Sequence, residues 1–301
     1  MKHYRANGKL LISGEYTVLD GSLALALPTQ RGQVLHYKEM EQEELHWRSL
    51  NVKGEIWFEA QFSVNDLGIL SASDKEKARA LQCILKAAAE LSITVSHLQG
   101  EVTTALEFPA DWGLGSSSTL ICCLAQCFDV DPMTLHFKVS NGSGYDVACG
   151  MTDSALTYQL DDGLVAVKPI AWKPSFSASL FFVYLNTKQK SSSEVSKYQD
   201  LKLGLDINAI ADKISALTQK MLNAESLEVF KESMVKHEEL MSSVLGYPTV
   251  KQLYFSDYKG AVKSLGAWGG DFILATGTFE DRAYFVSKGY DVIEEYDTLI
   301  L

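Results

Sequence analysis

Phe108-Pro109-Ala110-Asp111-Trp112-Gly113-Leu114-Gly115-Ser116-Ser117-Ser118-Thr119-Leu120 stands between an alternating run, Glu101 to Phe108, that reads as a strand, and an apolar run, Leu120 to Phe128, that reads as a buried helix. The order is strand, glycine turn, helix start. Gly113 and Gly115 carry no side chain to hold a ligand off the backbone, and Ser116, Ser117 and Ser118 put hydroxyls and N–H groups at the positive end of a helix. Such an end attracts phosphate. A serine-capped helix after a tight turn carries the same residues, so this stretch alone leaves both readings open.

The 301-residue chain can bury two cores, and its 47% hydrophobic and 22% charged content is that of an ordinary globular protein. A net charge of −11 without a basic stripe argues against a nucleic-acid partner and leaves a small anionic substrate open. No apolar run approaches a membrane span and the first residues lack a signal-peptide pattern, so a cytoplasmic setting without a membrane partner is expected. The five cysteines include no CxxC pair, and the six histidines show no ligand spacing. Buried reduced thiols are expected for Cys122, Cys123 and Cys127, with no structural metal and no disulfide.

Residues 2–14, Leu23 to Leu27, Val34 to Tyr37, Leu45 to Trp47 and Ile56 to Phe58 read as strands separated by turns. Ser73-Asp74-Lys75-Glu76 reads as a capping box opening a helix with Ala78, Leu81, Ile84, Leu85, Ala88 and Leu91 on one face. After the central stretch come a helix over 117–128, a short helix at Asp131-Pro132, a turn over Asn141 to Asp146, and a hairpin about Asp161-Asp162-Gly163. Beyond a composition shift at Trp172 to Ser175, Leu180 to Leu185 reads as a buried strand and Lys188 to Ser193 as a polar loop. Two helices over 206–245, a Thr249-capped helix running to Leu265, and a strand, helix and strand over 272–296 complete the chain. Two α+β domains, each with helices on a largely antiparallel sheet, account for this order.

Three separated stretches agree with one family. Ala6-Asn7-Gly8-Lys9-Leu10-Leu11-Ile12-Ser13-Gly14-Glu15-Tyr16, the Pro109 to Ser118 turn, and Gly266-Ala267-Trp268-Gly269-Gly270 resemble, in that order, the three motifs of the GHMP kinases, among them galactokinase, homoserine kinase, mevalonate kinase and phosphomevalonate kinase. The first and last are most similar to the mevalonate and phosphomevalonate branch, which makes isoprenoid precursors. The resemblance implies a two-domain α+β fold. Residues 1–172 would form the ATP-binding domain, like the second domain of ribosomal protein S5, and residues 173–301 a ferredoxin-like C-terminal domain. It also implies ATP and Mg2+, and a small-molecule acceptor; a homodimer is allowed.

Carried over residue by residue, the resemblance has Gly113, Leu114, Gly115, Ser116, Ser117 and Ser118 cradle the phosphates, with the Ser117 hydroxyl facing magnesium. Asp146, in Gly144-Tyr145-Asp146-Val147-Ala148, matches the catalytic aspartate, and Lys9 the lysine set near it. Glu15, Tyr16, Trp268, Gly269 and Gly270 would lie on the acceptor side. Taken one at a time, Asp146 also reads as a turn residue, Lys9 as a solvated strand-edge lysine and Tyr16 as packing.

The departures are specific. Asn7 stands where the family has proline, Trp268 and Asp271 stand where it has glycine, and Thr119 to Tyr145 offers only the carboxylates Asp129 and Asp131, without the magnesium-binding glutamate of mevalonate kinases. An active kinase is the leading expectation, against a non-catalytic nucleotide-binding module and a decarboxylase of the same fold. Arg5, Lys188 and Lys190 are the candidates to meet an anionic acceptor.

Overall fold

The computed structural model describes residues 1–189 and 191–301, residues 191 and 192 by backbone alone. The chain forms two compact units: residues 1–8, 31–110 and 114–151 make the first, and residues 9–30, 111–113 and 152–301 the second. Two long strands, β1 (Lys2–Ser13) and β2 (Ala24–Glu39), give residues to both. The two apolar runs at 23–27 and 34–37, expected as separate strands, are one strand. It passes Gly32 without breaking because the absent side chain leaves room for β1: a Cβ there would stand 2.0 Å from the Ala6 carbonyl oxygen.

In the first unit β2 is joined by β3 (Glu44–Leu50), β4 (Ile56–Ser63), β5 (Ile69–Ala72) and, after helix α1 (Lys75–Leu91), β6 (Gly100–Leu106). The order is β5-β4-β3-β6-β2, antiparallel except for β3 beside β6. Alternation on β3 buries Leu45 and Trp47, and α1 turns Ala78, Leu81, Leu85 and Ala88 into the same core. The cap of α1 is Asp74, which accepts from the Glu76 and Lys77 N–H groups. Ser73 is not part of a capping box; its hydroxyl bonds across to the backbone of Glu59.

The central helix is α2 (Ser116–Phe128), followed by α3 (Pro132–Val139), capped by Asp131, and α4 (Tyr145–Gly150). The expected turn over 141–146 therefore ends in a helix. Gly144, at φ 82°, supplies the left-handed residue from which α4 starts. Cys122, Cys123 and Cys127 are buried on α2, and burial pushes the Cys127 thiol up to about 11.

In the second unit Ala24, Leu25 and Ala26 of β2 pair with β7 (Leu156–Asp161), which forms the expected hairpin with β8 (Leu164–Pro169). A second sheet contains β9 (Leu180–Tyr184) and accompanies helices α5 (Ser191–Leu201), α6 (Ile207–Leu222), α7 (Leu227–Leu245) and α8 (Val250–Tyr254). Its other strands are β10 (Val262–Ser264), β11 (Phe272–Thr276) and, after α9 (Arg282–Ser287), β12 (Ile293–Glu295); α10 (Tyr296–Leu299) follows. The order β10-β11-β9-β12 is antiparallel throughout, so the architecture is α+β.

Two expectations are corrected here. The stretch after Thr187 is not a polar loop as far as Ser193, because α5 begins at Ser191. The helix capped by Thr249 ends at Tyr254 rather than Leu265, since Val262 to Ser264 pair with β11 and bury on the sheet instead of extending the helix.

Candidate active site

The first unit carries the residues of the glycine-serine loop from Leu114 onward. Gly115 caps α2 in the left-handed region, with φ 92° and ψ 42°, a conformation costly to any residue with a Cβ. The three serines then divide. Ser118 is buried and donates to the Gly115 carbonyl at 2.9 Å, Ser116 is half-buried, and Ser117 is exposed at the helix start. α4 packs on α2, with Cys122 Sγ 3.4 Å from the Val147 carbonyl. Asp146 stands in the first turn of α4, half-buried, and accepts from the Val147 N–H at 3.0 Å. Asp131 is taken up by the Thr134 N–H and hydroxyl, and Asp129 ends α2 at φ 56°, so both are committed to helix ends.

The second unit carries Asp111 to Gly113. Trp112 is buried edge-on to Phe272 and beside Tyr184, whose hydroxyl donates to the Asp111 carbonyl at 3.1 Å. This anchoring fixes Gly113, at φ 68°, and Lys9 Nζ donates to its carbonyl at 2.9 Å. Asp271 lies on the other side: a Cβ on Gly113 would be 2.3 Å from the Asp271 carboxyl carbon. Burial raises the Asp271 pKa, and the charges of Lys9 and Lys188 oppose the rise. The aspartate that departs from the motif thus meets the loop with two cations nearby, and its Oδ1 accepts from Gln189 N at 3.3 Å.

Glu15-Tyr16-Thr17 forms a classic γ-turn. Tyr16 has φ 61° and ψ −52°, and Thr17 N donates to Glu15 O at 2.6 Å. This turn is rare and strained, of the order of 1–3 kcal/mol, and persists only when its surroundings over-determine it. They do so on both sides. The Tyr16 hydroxyl accepts from Trp268 N at 2.8 Å, tying the first motif to the third. Glu15 is closed into a buried ion cluster, paired with Lys263. His237 Nε2 lies 3.3 Å from both Gly14 N and Glu15 Oε2, accepting from the first or donating to the second according to its tautomer. Glu238 accepts from the Ser264 N–H and hydroxyl at 3.1 and 2.9 Å.

All four ionisable members of this cluster are under 5% exposed. Burial raises the pKa of Glu15 and Glu238 against the pull of Lys263, and holds His237 far below its ordinary value, hence neutral. The cavity inside the cluster is about 10 Å³, the size of one water.

A larger cavity, about 320 Å³, adjoins this turn. Tyr16, Tyr198, Leu245, Val250 and Trp268 line it, with Gln189 and Gly269 on one side. Gly270 packs against the neighbouring segment, where a Cβ would meet Gln189 and the Thr187 carbonyl at 2.5 and 2.6 Å. Of the residues expected on the acceptor side, Tyr16, Trp268 and Gly269 therefore share one cavity, while Glu15 is enclosed in the ion cluster.

Lys188 is exposed, Arg5 is paired with Glu107 at 2.7 Å, and Lys190 lies outside the described residues. Among the described residues no group of three or more His, Cys, Asp or Glu could hold a metal ion, and no helix is long and apolar enough to cross a membrane. A magnesium ion carried by phosphates and water needs no such group, and the exposed Ser117 hydroxyl at the loop is compatible with it.

The sequence reading missed Lys263, His237, Glu238 and Gln189. Two signals were available. Lys263 interrupts the apolar run Ala261 to Leu265, and His237 and Glu238 occupy the face of α7 that otherwise carries Phe230, Met234, Met241 and Leu245. A charge on an apolar face implies a buried partner.

No sequence-family model matches the chain, and no curated protein matches it in sequence. Solved structures do match. A Streptococcus pneumoniae phosphomevalonate kinase in complex with phosphomevalonate and AMPPNP aligns with TM-score 0.72 and 17% identity, over 98% of this chain and 100% of that one. A mevalonate kinase aligns with TM-score 0.70 and 14% identity over 100% of both chains. Lactococcus lactis galactokinase complexed with galactose aligns with TM-score 0.69 and 12% identity, over 95% of this chain and 88% of that one. The chain therefore has the two-domain α+β fold of the GHMP kinases, the fold its three motifs resemble.

Proposed function

We propose that this protein is an ATP-dependent small-molecule kinase of the GHMP type, acting on a hydroxyl or phosphate group of a small acceptor, with mevalonate and phosphomevalonate the first candidates. The observation that carries the reading is the glycine-serine loop. Gly113 and Gly115 are both left-handed, the second opens α2 onto three serines, and Lys9 is fixed on the first. Left-handed glycines leading into a helix N-terminus expose backbone N–H groups to an anion, and a lysine adds compensating charge. The fold shared with a phosphomevalonate kinase holding AMPPNP supports ATP as the donor.

In this reading the acceptor oxygen attacks the γ-phosphorus, the bond to the bridging oxygen of ADP breaks, and the acceptor proton passes to Asp146 or, through it, to solvent. The products are a phosphorylated acceptor and ADP. Residues Gly113 to Ser118 would hold the phosphates, the Ser117 hydroxyl would face magnesium when it is bound, Lys9 would offset charge at the loop, and Asp146 would orient the attacking group. Magnesium, when bound, neutralises phosphate charge. Tyr16, Trp268, Gly269 and Gly270 shape the acceptor side, and Glu15 holds the γ-turn that presents Tyr16. The division at 172/173 into an ATP-binding part and a C-terminal part, a cytoplasmic setting and a homodimer belong to the same proposal.

ADP and carbon dioxide release, measured over mevalonate, its phosphates, homoserine and sugars, tests it. ADP with a new phosphate ester supports the kinase. Carbon dioxide with ADP identifies the decarboxylase, and ATP binding without ADP release identifies a binding module.

A further inference from the structure

Four large apolar side chains exposed at the surface of the second unit, Leu201, Tyr247, Leu253 and Tyr254, are 41 to 53% exposed, and all line the same 320 Å³ cavity. Its deeper wall is the buried Tyr198, Leu245 and Val250, with Tyr16 and Trp268 beside them. Apolar surface gathered around a hollow, rather than scattered, marks a place where something apolar binds. The charged residues of the lining do not change its character. Lys197 is paired with Glu194 one helical turn away, at 2.6 Å, and Tyr198 turns its hydroxyl to Asp20 at 2.6 Å.

A short series of contacts inside this unit links the cavity lining to Gly113. Gln189 lines the cavity and donates its N–H to Asp271; Asp271 lies against Gly113, and Gly113 holds Lys9. Tyr16 and Trp268, the motif residues on the acceptor side, are bonded to each other and form part of the cavity wall.

From this juxtaposition we infer that the cavity receives the apolar body of the acceptor, so that the substrate class is an alcohol or phosphate monoester with a hydrocarbon or aromatic body, rather than a polyol. Size sets the upper limit. A closed apolar cavity of about 150 Å³ holds benzene, so this open cavity of roughly twice that volume takes a body of up to about ten carbons. A sugar would bring four or more hydroxyls against a lining that is mostly tyrosine rings, leucine and valine, where hydroxyls facing the apolar wall lose water without a partner. The inference rests on the kinase reading for the word acceptor, and on the cavity alone for the binding of an apolar body.

Geraniol and benzyl alcohol serve as probes on the full chain, first without nucleotide. Saturation-transfer NMR is expected to show both binding. Leu201→Trp, which fills the cavity from an exposed position, and Leu253→Asp, which places a charge at its edge, are each expected to weaken binding at least tenfold with the melting temperature retained. Absence of binding at millimolar probe, or unchanged binding in both folded variants, overturns the cavity assignment. Mg·ATP affinity, read separately by calorimetry, reports on the kinase reading and is expected to be unchanged in both variants. With Mg·ATP present, kcat/KM for geraniol or benzyl alcohol is expected to exceed that for glycerol and galactose at least tenfold, an advantage Leu201→Trp removes. Turnover of galactose equal to or above that of the apolar alcohols overturns the acceptor assignment while leaving the kinase intact.

Discussion

Asp271 occupies the space that a side chain on Gly113 would need: a Cβ at Gly113 would stand 2.3 Å from the Asp271 carboxyl carbon. Glycine at 113 and aspartate at 271, each left-handed, at φ 68° and 54°, are therefore one packing unit joining the glycine-serine loop to the segment that follows the third motif. Gly113→Ala should cost about 2–4 kcal/mol, combining left-handed strain with overpacking. Gly113→Ala/Asp271→Gly should recover the overpacking part, leaving about 1–2 kcal/mol. Urea denaturation of the three variants checks this, and additive losses would show that the two residues do not share the space.

The ion pair between Lys263 and Glu15 is buried, so removing one partner strands the other. Lys263→Met should destabilise the protein by about 3–5 kcal/mol, whereas Lys263→Met/Glu15→Gln should regain most of that loss. Denaturant midpoints of the single and double variants decide it. A single variant as stable as the parent would mean that the cluster is not closed to water.

His237 gives the same cluster a pH signature. Burial, and then the Lys263 charge, hold its pKa far below the ordinary value, so the unfolded chain binds a proton that the folded chain refuses. Its contribution to stability is full above about pH 6.5 and is lost as pH falls, with a slope approaching 1.4 kcal/mol per pH unit. Glu15 and Glu238 act oppositely: burial raises both, so their contribution falls as pH rises through the raised values. The stability of the parent minus that of His237→Gln largely cancels those carboxyls. That difference should shrink steadily from pH 7 to pH 5; a flat difference would mean that His237 takes up a proton in place.

Most strands and helices were legible because their signals are local. The periodicity of α1, the Asp131-Pro132 start of α3 and the Asp162-Gly163 hairpin need no distant partner to be read. The misreadings share one cause. Val262 to Ser264 left the expected helix because β11 pairs with them, and Ser73 left the capping box because Glu59 across the sheet takes its hydroxyl. The site divides in the same way. The glycine-serine loop is visible in sequence because its chemistry is contiguous, whereas the Glu15 cluster draws on residues more than 220 positions away in sequence, 237 and 263, and could be inferred only from charges on apolar faces. The γ-turn at Tyr16 has no sequence signal, since a non-glycine residue there is held by its surroundings.

Gly115→Val tests the phosphate loop. At φ 92° a β-branched residue is strained, and its methyl groups would stand where backbone must approach an anion. ATP affinity by calorimetry should fall at least tenfold in a variant whose circular dichroism is unchanged. Unaltered affinity would place the nucleotide elsewhere.

Asp146→Asn carries the central claim, that the chain transfers a phosphoryl group with Asp146 beside the attacking atom. The substitution keeps the side-chain volume and leaves Oδ1 able to accept from the Val147 N–H, so α4 should keep its start, but it removes the anion. Single-turnover phosphoryl transfer at saturating Mg·ATP, on whichever acceptor the panel identifies, should slow by about a hundred- to ten-thousand-fold while ATP affinity changes little. Parent-like transfer in a folded Asp146→Asn variant would reduce Asp146 to a helix-start residue and contradict the proposed mechanism at its centre.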